Sequence, residues 1–228
     1  MMDHERDLVS VHDATERLRT GAAVLDNASA ARPSRLPGWS RGHVLAHLAR
    51  NADALVNVVR GLPMYDSAEA RDADIERDAP RPLDVQLTDL RDSADRLRAA
   101  WAATTDWSRT VELRNGVTDT ASRVPFRRWA EVELHHVDLG IGYELEEVPA
   151  EFTERETGFL AERFLGHPAV PPTRLTDGSR EWRTGREADT PEVTVTGAPA
   201  DLLGWLAGRR DGSALSVSGG PLPALPPL

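Results

Sequence analysis

The 228-residue chain has no cysteine and no lysine; all 27 of its basic residues are arginine. Without cysteine neither a disulfide framework nor a thiolate metal site is possible. A metal would have to be held by His, Asp and Glu, and any thiol chemistry would have to borrow its thiol from a small molecule. Without lysine there is no Schiff base and no lysine general base, while rigid guanidinium forks remain for carboxylates. Positive charge is outweighed by 37 acidic residues, for a net charge of −10, which argues against a nucleic-acid partner. No apolar run approaches a membrane span. The opening residues, MMDHERDLVSVHD, lack the basic start and apolar core of a secretory signal, so a cytoplasmic protein is expected.

Hydrophobic residues make up 40% of the chain, enough for a packed core, and the length suits one and a half to two domains. Leu8, Val11, Leu18, Ala22 and Leu25 recur at helical steps, and residues 31–38, with two prolines and a glycine, break the pattern. Ser40 stands where an N-cap would, ahead of Val44, Leu48, Leu55 and Val59. Residues 64–81 are charged and weakly periodic, which by itself reads as a solvated loop or short surface helix. Leu83, Leu87, Leu90, Ala94, Leu97 and Trp101 mark a third long helix. Residues 104–124 are polar, with Asn115-Gly116 as a turn signal, and Pro125 suits the start of a fourth helix that Gly140 or Gly142 ends. Four long amphipathic helices with one lengthy connection predict a four-helix bundle over residues 1–149. Beyond Pro149 a helix near residues 154–165, strands over 174–183, 192–196 and 214–218, and a short helix over 200–208 predict a small α+β domain, residues 150–228. The fold class expected for the whole chain is α+β.

Two stretches carry metal-competent side chains. In RRWAEVELHHVDLG, Glu131 and His135 are four residues apart, about 40° around a helix axis, with Asp138 three residues further on. In GHVLAHLARN, His43 and His47 have the same spacing. One such pair commonly just ties a helix surface together. Two pairs on separate core helices gain weight, because bundles build metal sites from inward carboxylates and histidines on facing helices. Two histidines and a glutamate would leave an ion open to substrate, with Asp138 and Asn51 placed to orient the rings. Spacing alone does not choose His47 over His43, nor set His136 aside.

The pattern LPGWSRGHVLAHLARNADAL, then MYDSAEARDADIE, then RRWAEVELHHVDLG, with LLGWLAGRRDG near the end, closely resembles the mycothiol-dependent maleylpyruvate isomerase family within the DinB-like metal-binding superfamily. The resemblance covers nearly the whole chain and implies a DinB-like bundle followed by the smaller domain. It implies His47, Glu131 and His135 as ligands to a divalent ion, most often zinc, and Arg71 and Arg209 in the active-site region, with Arg210 an adjacent alternative. It also turns the charged run after Tyr65 into a pocket wall, with Arg71, Asp72 and Asp74 toward the thiol cofactor. The activity it implies is isomerisation of the dianion maleylpyruvate to fumarylpyruvate, in aromatic catabolism, with mycothiol as the external thiol. Arg71 and Arg209 together suit a dicarboxylate. Two other readings share the same motifs: a mycothiol S-transferase that leaves the thiol on its electrophile, and a non-catalytic metal- or ligand-binding protein. The expected partners are small molecules, and the expected assembly is a monomer or homodimer.

Overall fold

The computed structural model describes residues 4–227. The chain divides into two compact units, one ending at Tyr143 and the next beginning at Glu144. The α+β class and the DinB-like bundle expected from the sequence are what the chain adopts. The first unit contains α1 (His4–Ala22), the short α2 (Asn27–Ala30), α3 (Arg41–Val59), α4 (Ala68–Asp78) and α5 (Leu83–Ala102). A small antiparallel hairpin, β1 (Thr110–Glu112) and β2 (Thr118–Thr120), precedes α6 (Val124–Asp138). The long helices α1, α3, α5 and α6 form the bundle, with α3 against α5 and α6, and α1 against α6 and α5.

Helix α3 is the central element, and its sequence explains why. Ser40 caps it by accepting the His43 backbone N–H, while the His43 ring accepts the Ser40 N–H, a capping box with histidine in the usual Glu/Gln place. Gly61, at φ +78°, follows the helix end. Between these ends α3 buries Val44, Leu45, Leu48, Ala49, Ala52, Leu55 and Val56, so it is packed nearly all round. Gly42 permits α4 to lie close: a Cβ there would stand 2.3 Å from the Ala79 carbonyl oxygen. Arg50 completes that junction by bridging Asp78 at the end of α4 to Asp89 on α5.

Helix α6 begins with Pro125 in its first turn and ends before Gly140, at φ +62°. The Arg41 guanidinium donates to the carbonyls of Leu139 and Gly140 at 2.8 and 3.0 Å, placing a cation on the negative end of α6. The start of α3 is thereby tied to the end of α6. The α5 stripe runs through Gln86, Leu90, Ser93, Leu97 and Trp101, with Leu87 and Ala94 only half-buried. Gln86 is tolerated inside because its amide donates to the carbonyls of Ala79 and Arg81, and Ser93 donates to that of Leu90.

The second unit contains α7 (Ala150–Arg163), β3 (Thr173–Thr176), β4 (Glu181–Thr184), β5 (Val193–Thr196), α8 (Pro199–Leu206) and β6 (Ser216–Ser218). Its sheet has the order β4-β3-β5-β6, with β3 and β5 parallel and the other pairs antiparallel. Residues 174–183, expected as strand, form a hairpin. Asp177 accepts from the backbone of Ser179 and Arg180, and Gly178 takes φ +91°, turning the chain there. Leu175, Val193 and Val195 bury one face of the sheet within a core that also holds Phe152, Leu160, Leu202 and Leu203.

Candidate functional site

Antiparallel packing of α3 and α6 brings together residues that are 84 positions apart in the chain. His47 Nε2 lies 2.9 Å from Glu131 Oε2, and His135 Nε2 lies 3.3 Å from the same oxygen. The three potential ligand atoms all fall within 4.8 Å of one another. The His47 and His135 rings meet edge to face, with centroids 4.7 Å apart. His47 is buried, whereas Glu131 and His135 keep a partly exposed edge, so the cluster opens on one side.

Both histidines are oriented from behind. His135 Nδ1 donates to Asp138 Oδ2 at 2.9 Å, one turn along α6, and that carboxylate is itself buried. Arg71 Nη2, on α4, lies 3.2 Å from His47 Nδ1, and its Nη1 binds Asp72 at 2.6 Å. The Trp39 ring stands 5.4 Å from that of His47 and walls one side.

The electrostatics follow from this geometry. Burial pushes His47 down to about 4, only partly opposed by its hydrogen bond to Glu131, so the ring is neutral at neutral pH. Burial acts the same way on His135, but the carboxylates of Asp138 and Glu131 outweigh it and raise its pKa. Burial would raise Glu131, yet the bonds from His135 and His47 hold it well below the ordinary carboxylate range. The result is an ionised carboxylate between two imidazoles.

This donor set fits a divalent cation. It offers two imidazole nitrogens and a carboxylate oxygen, one open side, and a carboxylate orienting one of the histidines. Occupation would require the Nε2 protons of both rings to leave. For His47 the remaining proton belongs on Nδ1, where Arg71 now donates, so Arg71 would exchange that hydrogen bond for another acceptor.

The other residues singled out in the sequence sort clearly. His43 serves the α3 cap, and its Nε2 faces Glu76 at 3.3 Å. His136 is buried on the far flank of α6, stacked on Tyr143 with centroids 4.0 Å apart. Tyr143, Arg17 and Trp129 all donate to buried Glu133, a structural clasp between α1 and α6. The charged run after Tyr65 is helix α4, which contributes Arg71 to the cluster. Asp72, which is exposed, pairs with Arg71, and half-buried Asp74 pairs with Arg77. In the second unit, Arg210 is committed to Asp201 and Glu146, while Arg209 Nη1 donates to the Ala207 carbonyl. Trp39, Tyr65 and Arg128 belong to no metal-spacing motif. Arg128 precedes Glu131 by three residues on the same helical stripe, where one arginine among 27 does not stand out.

Comparison with known proteins places this geometry in context. Residues 11–140 match the family model for the mycothiol maleylpyruvate isomerase N-terminal domain, and residues 147–227 match that for the MDMPI C-terminal domain. Among solved structures, the mycothiol-dependent maleylpyruvate isomerase superposes with a TM-score of 0.89 at 29% identity, covering 99% of this chain and 97% of that one. A histidine-to-alanine mutant of that isomerase matches with the same TM-score and coverage at 28% identity. No curated protein sequence matches significantly. With both domain models matched in order and the fold shared almost end to end, the chain belongs to the mycothiol maleylpyruvate isomerase family.

Proposed function

We propose that this chain is a mycothiol-dependent isomerase that converts maleylpyruvate to fumarylpyruvate, with a divalent ion, zinc by resemblance, held by His47, Glu131 and His135. The observation that carries the reading is the His47–Glu131–His135 cluster, open on one side and flanked by Arg71, in a chain that shares both domains of the isomerase family. The composition agrees, since a protein without cysteine must take its thiol from outside.

When bound, the metal and the external thiol supply between them a thiolate nucleophile, whose reversible addition makes the cis double bond a rotatable single bond. The chain's own residues have separate tasks. Glu131 and the two imidazoles present three ligand atoms from two helices fixed by bundle packing. Asp138 holds the His135 ring in one orientation and tautomer. Arg71, once released from His47, offers two N–H groups to a substrate carboxylate and balances the charge that develops on the neighbouring enolate. Asp72 limits how far that guanidinium swings, and we assign Asp72 and Asp74, with Arg71, to the wall facing the thiol cofactor. Trp39 shields the His47 side from water. Arg209 is assigned a substrate carboxylate on the strength of the family resemblance.

The test is to incubate zinc-loaded protein with mycothiol and maleylpyruvate and follow the product. The trans isomer should accumulate with catalytic amounts of thiol. A stable thioether formed stoichiometrically would replace this reading with a transferase, and no turnover by fully metallated protein would reject both.

A further inference from the structure

Arg128 heads the fully buried large side chains of the described residues, at 1% exposure. No carboxylate among the described residues forms an ion pair with it. Nη1 donates to Asn51 Oδ1 at 2.7 Å, while the buried Nη2 has no hydrogen-bond partner. Burial pushes its pKa down only to about 10, so it remains a cation at neutral pH. Burying a charge with no ion-pair partner in contact costs several kcal/mol, which an apolar side chain of similar volume would not incur. Packing alone therefore does not account for an arginine here.

Its location suggests the purpose. Arg128 is three residues before Glu131 on α6, and Asn51 is four residues after His47 on α3. The Arg128–Asn51 pair is thus the next layer of the same helix–helix seam, one turn from the metal-competent cluster. The charges that bear most on Arg128 are those of Glu131 and Tyr65. Tyr65 also lies within reach of Glu131, Arg114 and Arg71, whose guanidinium carbon is 5.9 Å from the Tyr65 ring centre. Tyr65 further lines a cavity of about 450 Å³ bounded by Val58 and by residues 61–65, 67–68 and 109–116. One side chain is therefore common to the cavity wall, to Arg71 and to the neighbourhood of Arg128.

We propose that Arg128 is a specificity-determining residue of the site, whose unpartnered Nη2–H binds a carboxylate oxygen of the dianionic substrate. The inference rests on the isomerase reading above for the identity of that dianion. It makes the buried charge part of substrate recognition: the anion supplies the partner that the fold withholds, and a neutral or monoanionic analogue would leave Nη2 unsatisfied.

The experiment uses the full-length zinc-loaded protein as wild type, R128Q and R128K. It measures KM and kcat for maleylpyruvate, and the affinity for maleate, an inert cis-dicarboxylate, by calorimetry. Zinc content and Tm are recorded for each. R128Q should weaken maleate binding and raise KM by about tenfold to a hundredfold, the value of a charge-assisted hydrogen bond, with zinc content unchanged. R128K should recover part of the loss, and the monoamide of maleate should distinguish wild type from R128Q poorly. Should R128Q fail to fold, the double variant N51L/R128M replaces the polar layer by an apolar one and carries the same expectation. Maleate affinity and KM within twofold of wild type, with only Tm or zinc content reduced, would overturn the proposal and leave Arg128 a structural residue. Failure of the isomerase reading shows separately, as absence of maleylpyruvate turnover by the wild type.

Discussion

Asp138→Asn probes the proposed metal site without touching a proposed ligand. The Asp138 side chain is 1% exposed, and its Oδ2 accepts the His135 Nδ1–H at 2.9 Å. Asparagine has nearly the same shape and can still present an oxygen to that N–H, so the change removes charge more than structure. Loss of an orienting carboxylate behind a ligating histidine typically weakens metal binding about 10- to 100-fold, or about 1.4–2.7 kcal/mol. A second effect opposes the first. Asp138 is the leading group that raises the His135 pKa, so in the metal-free wild type a proton competes with the metal for that ring. In Asp138→Asn that competition weakens. The loss of affinity should therefore be largest above the His135 pKa and should shrink as the pH falls below it. The assay is titration of zinc into metal-free protein against a chromophoric chelator, at about pH 8 and about pH 6, with Tm recorded in parallel. Equal affinities for the two proteins at the higher pH would refute the assignment of His135 as a ligand. A ratio that does not change with pH would refute the electrostatic account of Asp138.

Other expectations concern the neighbours of that pair. Arg71→Met should raise KM for maleylpyruvate about tenfold or more while leaving zinc content intact, because it removes a charge-assisted carboxylate contact and no ligand; steady-state kinetics with metal analysis checks this. Ser40→Ala should cost about 1 kcal/mol in urea unfolding, since it removes the α3 cap and strands the His43 ring. Buried His136 is held down to about 4 against an ordinary 6.5. The unfolded chain therefore binds the extra proton first, and the stability this ring contributes is full above pH 6.5 and lost as pH falls toward 4, on the order of 3 kcal/mol. In urea titrations across that range, His136→Met should flatten the slope, so the gap between wild type and variant narrows at acid pH.

Helical periodicity marked the bundle because its long helices carry continuous apolar stripes, with Ser40, Gly61, Pro125 and Gly140 at their ends. It misplaced the α5 face slightly, selecting Leu87 and Ala94 where Gln86 and Ser93 are the buried residues. Hydrophobicity counts side chains, whereas Gln86 is paid for by two backbone carbonyls that only the folded turn at residues 79–81 provides. Residues 174–183 looked like one strand because the two arms of a tight hairpin share one composition. The reversal resides in Asp177 and Gly178, as a local backbone choice. Helix α4 has little apolar periodicity because Ile75 is its one large buried apolar side chain and Asp78 is buried against arginines.

The candidate site was legible to the extent that its members lie along single helices. Glu131, His135 and Asp138 are one stripe, and its metal-competent side chains can be read before the fold is known. Joining it to His47 required the register between α3 and α6, and periodicity contains no information about register. The resemblance supplied that join, and the packing reproduces it at 2.9 Å. Arg128 and Tyr65 stayed hidden for a related reason. An arginine among 27 is unremarkable until it is found buried with an unpartnered nitrogen, and a tyrosine beside a charged run is unremarkable until two cations flank it. The same seam orders both layers: His47 and Asn51 are four residues apart on α3, and Arg128 and Glu131 three apart on α6. Whatever register aligns the metal-competent layer also aligns the buried cation below it. A substitution that slips α3 against α6 would disturb metal and anion recognition together, whereas Asp138→Asn and Arg128→Gln should separate them.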